Sequence, residues 1–262
     1  MTILDTITAY KHKEVSAKKE AFPPSILETS KWFNRDTNSL AKAITNAKTG
    51  IIAEHKRKSP SKPIINNSIQ LTAVAKGYET AGVSGLSVLT DTYFFGGSLD
   101  DLTLARKTVD FPILRKEFII DPYQILEAKA YGADAILLIA ACLSRQQIKD
   151  FASLAKSLNL DVLLEVHNEE ELQKSLHPTI DMLGVNNRNL KTFTTSIEIS
   201  KSLAPHIPTD FIKVSESGIS TTASIAELKK YGYQGFLIGE TFMKTNDPGK
   251  SATSFIKALK DE

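Results

Sequence analysis

The sequence has one cysteine, Cys142, so no disulfide can form within the chain. A reducing compartment fits this usage. No apolar run approaches the roughly 18 residues of a membrane-crossing helix. The opening residues Met1-Thr2-Ile3-Leu4-Asp5 lack the basic-then-apolar order of a secretion signal. A cytoplasmic protein without a membrane segment is expected. Charge of one sign is also lacking: 32 basic residues face 30 acidic ones, a formal net charge of +2. No global field therefore argues for nucleic acid or a membrane surface as partner. No G-x-G-x-x-G occurs, which removes the usual fingerprint of an open, doubly wound nucleotide-binding sheet. His12, His55, His167, His177 and His206 form no ligand spacing, and no cysteine accompanies them. A metal site is not expected.

What is present is a regular alternation. Apolar residues make up 42% of 262 positions, enough for a sizeable core and in keeping with one large α/β domain or two small ones. Residues 2–20 are predicted to form an amphipathic helix. Ile3, Leu4, Ile7, Tyr10 and Val15 lie on one face, Lys and Glu lie opposite, and Thr2 and Asp5 sit at capping positions. Phe22-Pro23-Pro24 ends it. Residues 25–47 read as further short helices, with Ser39 as a cap and Trp32-Phe33 as an apolar anchor. This extension of residues 1–47 carries no strand pattern. It is expected to pack near the mouth of the domain that follows.

From residue 50 onward, apolar runs at 50–54, 85–89, 112–115, 135–139, 161–165, 181–185, 211–215 and 235–238 alternate with helical patterns. Alternation of this kind calls for a parallel sheet with right-handed crossovers. Near-continuous apolar strands are buried on both faces. Eight strand–helix units match a closed (β/α)8 barrel, a TIM barrel, over 1–262 with 1–47 as its N-terminal extension. The alternative is the open sheet, whose first strand is normally followed by glycines. Here Lys56-Arg57-Lys58-Ser59-Pro60 follows.

The ends of the runs carry charge. Glu54 and Lys56 share one face of the first strand by period two, and His55 takes the other. Lys116, Glu165, Asn186 with Arg188, Glu216 and Glu240 stand at later ends. In a barrel these ends ring one mouth, where chemistry is placed. A ring of ionised groups costs desolvation and adds little stability. Ser217-Gly218 and Gly239-Glu240 follow the last two runs, where barrels frequently bind phosphate through backbone N–H groups. The plainer readings are a structural ion pair, a tight turn, or a solvated or nucleic-acid-binding Lys56-Arg57-Lys58. By parity Lys213 faces the helix layer, and His167 shares the face of Glu165. Cys142 has no histidine placed to activate it and reads as a packing thiol.

The motifs Glu54-x-Lys56-Arg57-Lys58-Ser59-Pro60-Ser61, Leu114-Arg115-Lys116-Glu117-Phe118, Leu164-Glu165-Val166-His167, Gly184-Val185-Asn186-Asn187-Arg188-Asn189-Leu190 and Ser215-Glu216-Ser217-Gly218-Ile219 resemble those of indole-3-glycerol phosphate synthase. Ser87-Val88-Leu89-Thr90 and the helical extension resemble it too, so the likeness covers essentially the whole chain. It implies a lyase of tryptophan biosynthesis. Such an enzyme converts 1-(2-carboxyphenylamino)-1-deoxyribulose 5-phosphate to indole-3-glycerol phosphate, CO2 and water, with no cofactor and no metal. The expected catalytic set is Lys116 as acid, Lys56 as its electrostatic partner, Glu54, Glu165, Asn186 and Glu216. Ser59, Phe118, Arg188, Ser217, Gly218, Gly239 and Glu240 would bind substrate. The partner would be this phosphorylated small molecule rather than nucleic acid or membrane. The chain would be a monomer or weak homodimer, associating at most with other tryptophan-pathway enzymes. Glu240 departs from relatives that carry a small hydroxyl residue there, and Asn189 replaces an Asp at a position expected to be structural. The rivals are a phosphosugar isomerase on the same barrel, such as phosphoribosylanthranilate isomerase, and a non-catalytic anion-binding protein.

Overall fold

The computed structural model describes residues 2–189 and 192–261; Leu190, the end of one motif, lies outside them. Three helices come first: α1 (Ile3–Ala21), α2 (Pro24–Glu28) and α3 (Leu40–Asn46). Thr2 and Asp5 form a reciprocal capping box on α1, and the Ser39 hydroxyl caps α3. The regular alternation then runs β1 (Ile51–His55), α4 (Leu71–Ala81), β2 (Gly85–Leu89), α5 (Leu99–Thr108), β3 (Ile113–Lys116) and α6 (Tyr123–Ala130). It continues with β4 (Ala135–Ile139), α7 (Arg145–Ser157), β5 (Asp161–Val166), α8 (Glu169–Ser175), β6 (Met182–Asn186) and α9 (Glu198–Leu203). It ends with β7 (Ile212–Glu216), α10 (Thr222–Lys229), β8 (Tyr233–Ile238), a short α11 (Glu240–Met243) and α12 (Pro248–Asp261).

The eight strands pair in chain order, all parallel, and β8 returns to β1 to close the ring. This is the expected TIM barrel. An open sheet would have two edge strands, and here the β8–β1 pairing leaves none.

Side chains fall into two shells, as the period of two demands. Ile52, Leu114, Leu137, Leu163, Met182 and Val214 fill the barrel interior. Ile51, Leu86, Ile113, Ile136, Leu164 and Phe236 face the helices. Lys213 also faces outward, donating to the carbonyl of Ala204 at 2.7 Å.

The extension touches both ends of the barrel. Leu40 and Ile44 of α3 belong to the interior shell and close its bottom. There Ser39 and the Ala41 N–H both bind Asp161 at the start of β5. Ile3, Leu4 and Ile7 of α1 stand at the other end and line the mouth. α1 thus stands at the mouth, whereas α3 plugs the opposite end.

Lys11 departs from the pattern that sets the lysines of α1 opposite its apolar stripe: it is fully buried. Ile7, Lys11 and Val15 are spaced four apart, so all three lie on the packed stripe. The Lys11 ammonium sits 2.9 Å from Glu14, 2.9 Å from Asp91 and 3.1 Å from Glu117. A buried ammonium needs such partners, and these tie α1 to the loop after β2 and to the end of β3.

Candidate active site

The mouth encloses a cavity of about 500 Å³. Every residue predicted for the site lines it except Glu216, which lies fully buried at its floor. The strands explain the grouping. Glu54, Lys116, Glu165, Asn186 and Glu216 are the last inward-facing positions of β1, β3, β5, β6 and β7.

Lys116 is the centre. Its ammonium donates to Glu216 Oε2 and lies 3.6 Å from Glu165 Oε2. Burial would lower its pKa, but Glu216, Glu165 and Glu54 more than offset this and raise it. Lys116 therefore stays an ammonium at neutral pH. Glu216 shows the converse. Burial, with the charges of Glu165 and Glu54, lifts it against the pull of Lys116 to about 7. Room for its carboxylate comes from β6, where a Cβ on Gly184 would stand 2.3 Å from Glu216 Oε1.

Lys56 is held apart from this pair. Its ammonium is 2.7 Å from Glu54 Oε1, and Ser87 donates to Glu54 Oε2 at 3.5 Å. Burial alone would raise Glu54, but Lys56 and Lys116 hold it below the ordinary carboxylate value. Two lysine–carboxylate pairs thus face one another across the mouth.

The rest of the basic run is engaged inside the molecule. Arg57 makes a two-pronged pair with Asp101 at 2.6 and 2.8 Å and also binds the Gly96 carbonyl. Lys58 donates to the Tyr93 carbonyl at 2.8 Å. These bonds lock the loop after β1 to the loop after β2, so the run is not a free basic patch.

One wall is apolar. The rings of Phe95 and Phe118 lie 5.8 Å apart, centre to centre. Phe118 N–H donates to Glu117 Oε1, and Phe95 N–H donates to Asp91 Oδ1. Both carboxylates are ones that Lys11 binds. Sequence reading missed Phe95, whose loop has no strand pattern to set its direction.

The opposite rim turns on glycines. Ser217 and Gly218 both adopt positive φ, +67° and +75°, which turns the chain sharply after β7. The side chain of Asn187, just beyond β6, donates to the Ser217 carbonyl at 3.1 Å and to Ser215 at 2.9 Å. Gly239 precedes α11, and a Cβ there would lie 2.7 Å from Glu54 Oε1. The Glu240 carboxylate is paired with Lys62, which explains how an acid is tolerated beside this rim. Arg188 lines the cavity and also donates to the Phe193 carbonyl at 3.3 Å. Ser59 lies on the same rim, its hydroxyl accepting from the Lys62 N–H at 3.2 Å.

Cys142 sits in a short 3-10 turn, Ala140–Cys142, after β4, where burial pushes its thiol up to about 12. It therefore stays a thiol at neutral pH. Among the described residues, no group of three His, Cys, Asp or Glu side chains could hold a metal ion, and no helix is long and apolar enough to cross a membrane.

Comparison with known proteins agrees with this geometry. The family model for indole-3-glycerol phosphate synthase matches residues 4–255. The indole-3-glycerol phosphate synthase of Bacteroides thetaiotaomicron is 48% identical over 98% of both chains. That of Laribacter hongkongensis is 42% identical over 94% of this chain and 96% of its own. Among solved structures, KGPDC from Streptococcus mutans superposes with a TM-score of 0.62 at 13% identity, covering 81% of this chain and 97% of that one. Thiamine phosphate pyrophosphorylase from Pyrococcus furiosus gives 0.60 at 15%, covering 85% and 98%. These two share the fold alone. The match along the chain and the mouth of the barrel lead to one assignment: the chain belongs to the indole-3-glycerol phosphate synthase family.

Proposed function

We propose that the mouth performs the ring closure of this carboxy-lyase family with Lys116 as the acid and Glu216 as its proton reserve. The observation that carries the reading is the buried Lys116–Glu216 pair, with Glu165 on the same ammonium. The reaction needs an acid twice. A proton on the ketone oxygen makes that carbon electrophilic, and the aromatic ring carbon bearing the carboxylate attacks it. The carboxylate then leaves as CO2 and the ring recovers its aromaticity. A second proton on the new hydroxyl lets it depart as water while the nitrogen lone pair pushes, and loss of a proton gives the indole. Two protons are taken and one is given back, so each turnover draws one net proton from solvent as the carboxylate leaves as CO2, and the same groups serve both steps once they are reprotonated.

Lys116 is kept charged by its carboxylate neighbours, so it holds a proton at neutral pH. When it gives that proton to the substrate, Glu216, which titrates near 7, can replace it. A pKa close to working pH suits such a donor. Glu165 faces the positive charge that develops on the nitrogen and takes the final proton. Lys56, fixed by Glu54, meets the carboxylate that is lost. Phe95 and Phe118 receive the aromatic ring. Asn186 and Arg188 hold hydroxyl and phosphate oxygens, with the guanidinium suited to an anion. The phosphate lies over Ser217-Gly218 and Gly239, with Ser59 at the rim.

A phosphosugar isomerase needs one acid and one base, and the two opposed lysine–carboxylate pairs exceed that. The test is turnover of 1-(2-carboxyphenylamino)-1-deoxyribulose 5-phosphate in EDTA, read by the indole absorbance that appears only on ring closure. Isomerised sugar without indole absorbance would overturn the reading.

A further inference from the structure

His167 lies just beyond β5 on the side of Glu165, and the chemistry above gives it no task. Its side chain is only 11% exposed. The start of α8 grips it. Glu171 Oε2 accepts from the His167 backbone N–H at 2.8 Å and lies 3.1 Å from Nδ1. Glu171 itself is steadied by Asn168, the N-cap of α8, which donates to its Oε1 and accepts from its N–H. The other ring nitrogen, Nε2, is buried, makes no hydrogen bond among the described residues, and lies 3.4 Å from Glu165 Oε1. The second oxygen of Glu165 is the one that faces Lys116, at 3.6 Å. The two oxygens of one carboxylate thus meet two different nitrogens.

A neutral imidazole has a single N–H. With that hydrogen on Nδ1 and given to Glu171, a neutral ring would turn the Nε2 lone pair onto a carboxylate oxygen. An imidazolium gives an N–H to each acid. The ring is faced by Glu165 from β5, Glu171 from α8 and Glu216 from β7. Lys116 of β3 lies beyond Glu165, and Lys174 of α8 acts on Glu171. The Cys142 thiol, after β4, stays neutral. Burial alone would lower the ring's pKa, but the bond to Glu171 and the three acidic charges raise it above the ordinary histidine value.

We propose that His167 is a positioning residue for Glu165. Its Nε2 side, turned to Oε1 at 3.4 Å, holds that oxygen in place, so that Oε2 alone is presented to Lys116 and the substrate nitrogen. This deepens the role given to Glu165 above and rests on it. The device is sensitive to alkali. When the imidazolium loses its proton, the Nε2 lone pair repels Oε1 and Glu165 turns from its working direction.

The test has two arms. In the first, kinetics are measured across pH for His167→Ala and His167→Gln. A misdirected carboxylate is expected to lower kcat of His167→Ala by up to about 10²-fold, with KM changed little. The Gln amide donates without titrating, so His167→Gln is expected to recover most of kcat and to lose the alkaline fall that His167 causes in the wild type. In the second arm, the His167 ring is titrated by NMR in the wild type and in Glu165→Gln, which does not depend on the His167 variants folding. Removing the charge of Glu165 is expected to lower the His167 midpoint. A wild-type kcat and pH profile in His167→Ala would overturn the proposal, as would a midpoint unmoved by Glu165→Gln. The activity of Glu165→Gln separates the two levels. If it is fully active, the role of Glu165 fails and this inference with it. If it is inactive while His167→Ala is normal, only the inference fails.

Discussion

Replacing Lys116 by Met keeps the length of the side chain and the packing of its stem against the barrel interior, while removing the proton and the charge. General acid catalysis is worth about 10²–10⁴-fold, roughly 3–5 kcal/mol at about 1.36 kcal/mol per decade. The kcat of Lys116→Met is therefore expected to fall by at least about 10²-fold. KM is expected to change little, because the phosphate and carboxylate contacts proposed above lie on Ser217-Gly218 and Lys56, away from the lost ammonium. Stability responds separately. Taking one partner from a buried pair costs about 3–5 kcal/mol when the other must stay charged. Glu216 already titrates near 7, so it takes up a proton instead and the cost is smaller. Adding Glu216→Gln to Lys116→Met should then leave thermal stability unharmed, or restore part of it, without restoring turnover. Lys56→Met should cost less in kcat and more in KM. The double lysine variant should be non-additive, as residues acting as a unit are. The assays are indole absorbance for rate and circular dichroism melting for stability. A Lys116→Met enzyme near the wild-type rate beside an inactive Lys56→Met would invert the two roles. If both turned over normally, the mouth would not be the site.

Three further outcomes follow from the geometry. Gly218→Val places a β-branched residue at a φ of +75° with its Cβ 2.5 Å from the Thr195 methyl, so KM should rise strongly through the phosphate; an unchanged KM would remove this rim from the site. Removal of residues 1–21 should raise KM and leave the barrel folded, since α1 lines the mouth. Removal of residues 1–47 should also destabilise the fold, since Leu40 and Ile44 fill the bottom and removing such side chains costs about 2–5 kcal/mol each; equal melting temperatures for the two shortened chains would contradict this. The folded-state pKa of Glu216 is raised from 4.5 to about 7. The native state therefore holds a proton there that the unfolded chain has released. The stability of the wild type relative to Glu216→Gln should be greatest below pH 4.5, fall as pH rises through about 7 and level off above it, as urea titrations at several pH values would show.

The barrel is legible in the sequence because its strands are apolar on both faces and its helices amphipathic. The errors in strand ends are informative. The runs at 50–54, 112–115, 181–185 and 211–215 each stop one residue short, because His55, Lys116, Asn186 and Glu216 are the last residues of their strands. Three of these four belong to the site itself, polar side chains that a search for apolar runs trims away. β8 begins at Tyr233 rather than 235, hidden by the polar Gln234. Parity placed Glu54, Lys56, Lys116 and Lys213 correctly, since it needs only the strand direction. It could not show that Glu216, rather than Lys56, is the partner of Lys116, because that contact joins β3 to β7 across the barrel. Nor could it show Lys62 neutralising Glu240, or Asp91 and Glu117 meeting Lys11, which depend on loop paths. Lys11 was nevertheless within reach, since its place between Ile7 and Val15 at intervals of four marks it as part of the packed stripe.

The plug at the bottom of the barrel has a consequence for the order in which the chain is made. Leu40 and Ile44 leave the ribosome before any strand does. Their neighbours include Gly85 at the start of β2 and Gly235 in β8, where an added Cβ would meet Leu40 at 2.4 Å and Ile44 at 3.4 Å. α3, made before any strand, therefore cannot seat fully until β8 has been synthesised and paired with β1. Contacts between such distant parts of the chain close slowly, and apolar surface exposed in the interval invites aggregation. A helix made before the first strand and the last strand made complete the barrel together, so closure of the ring and filling of its floor form one late event on the folding path.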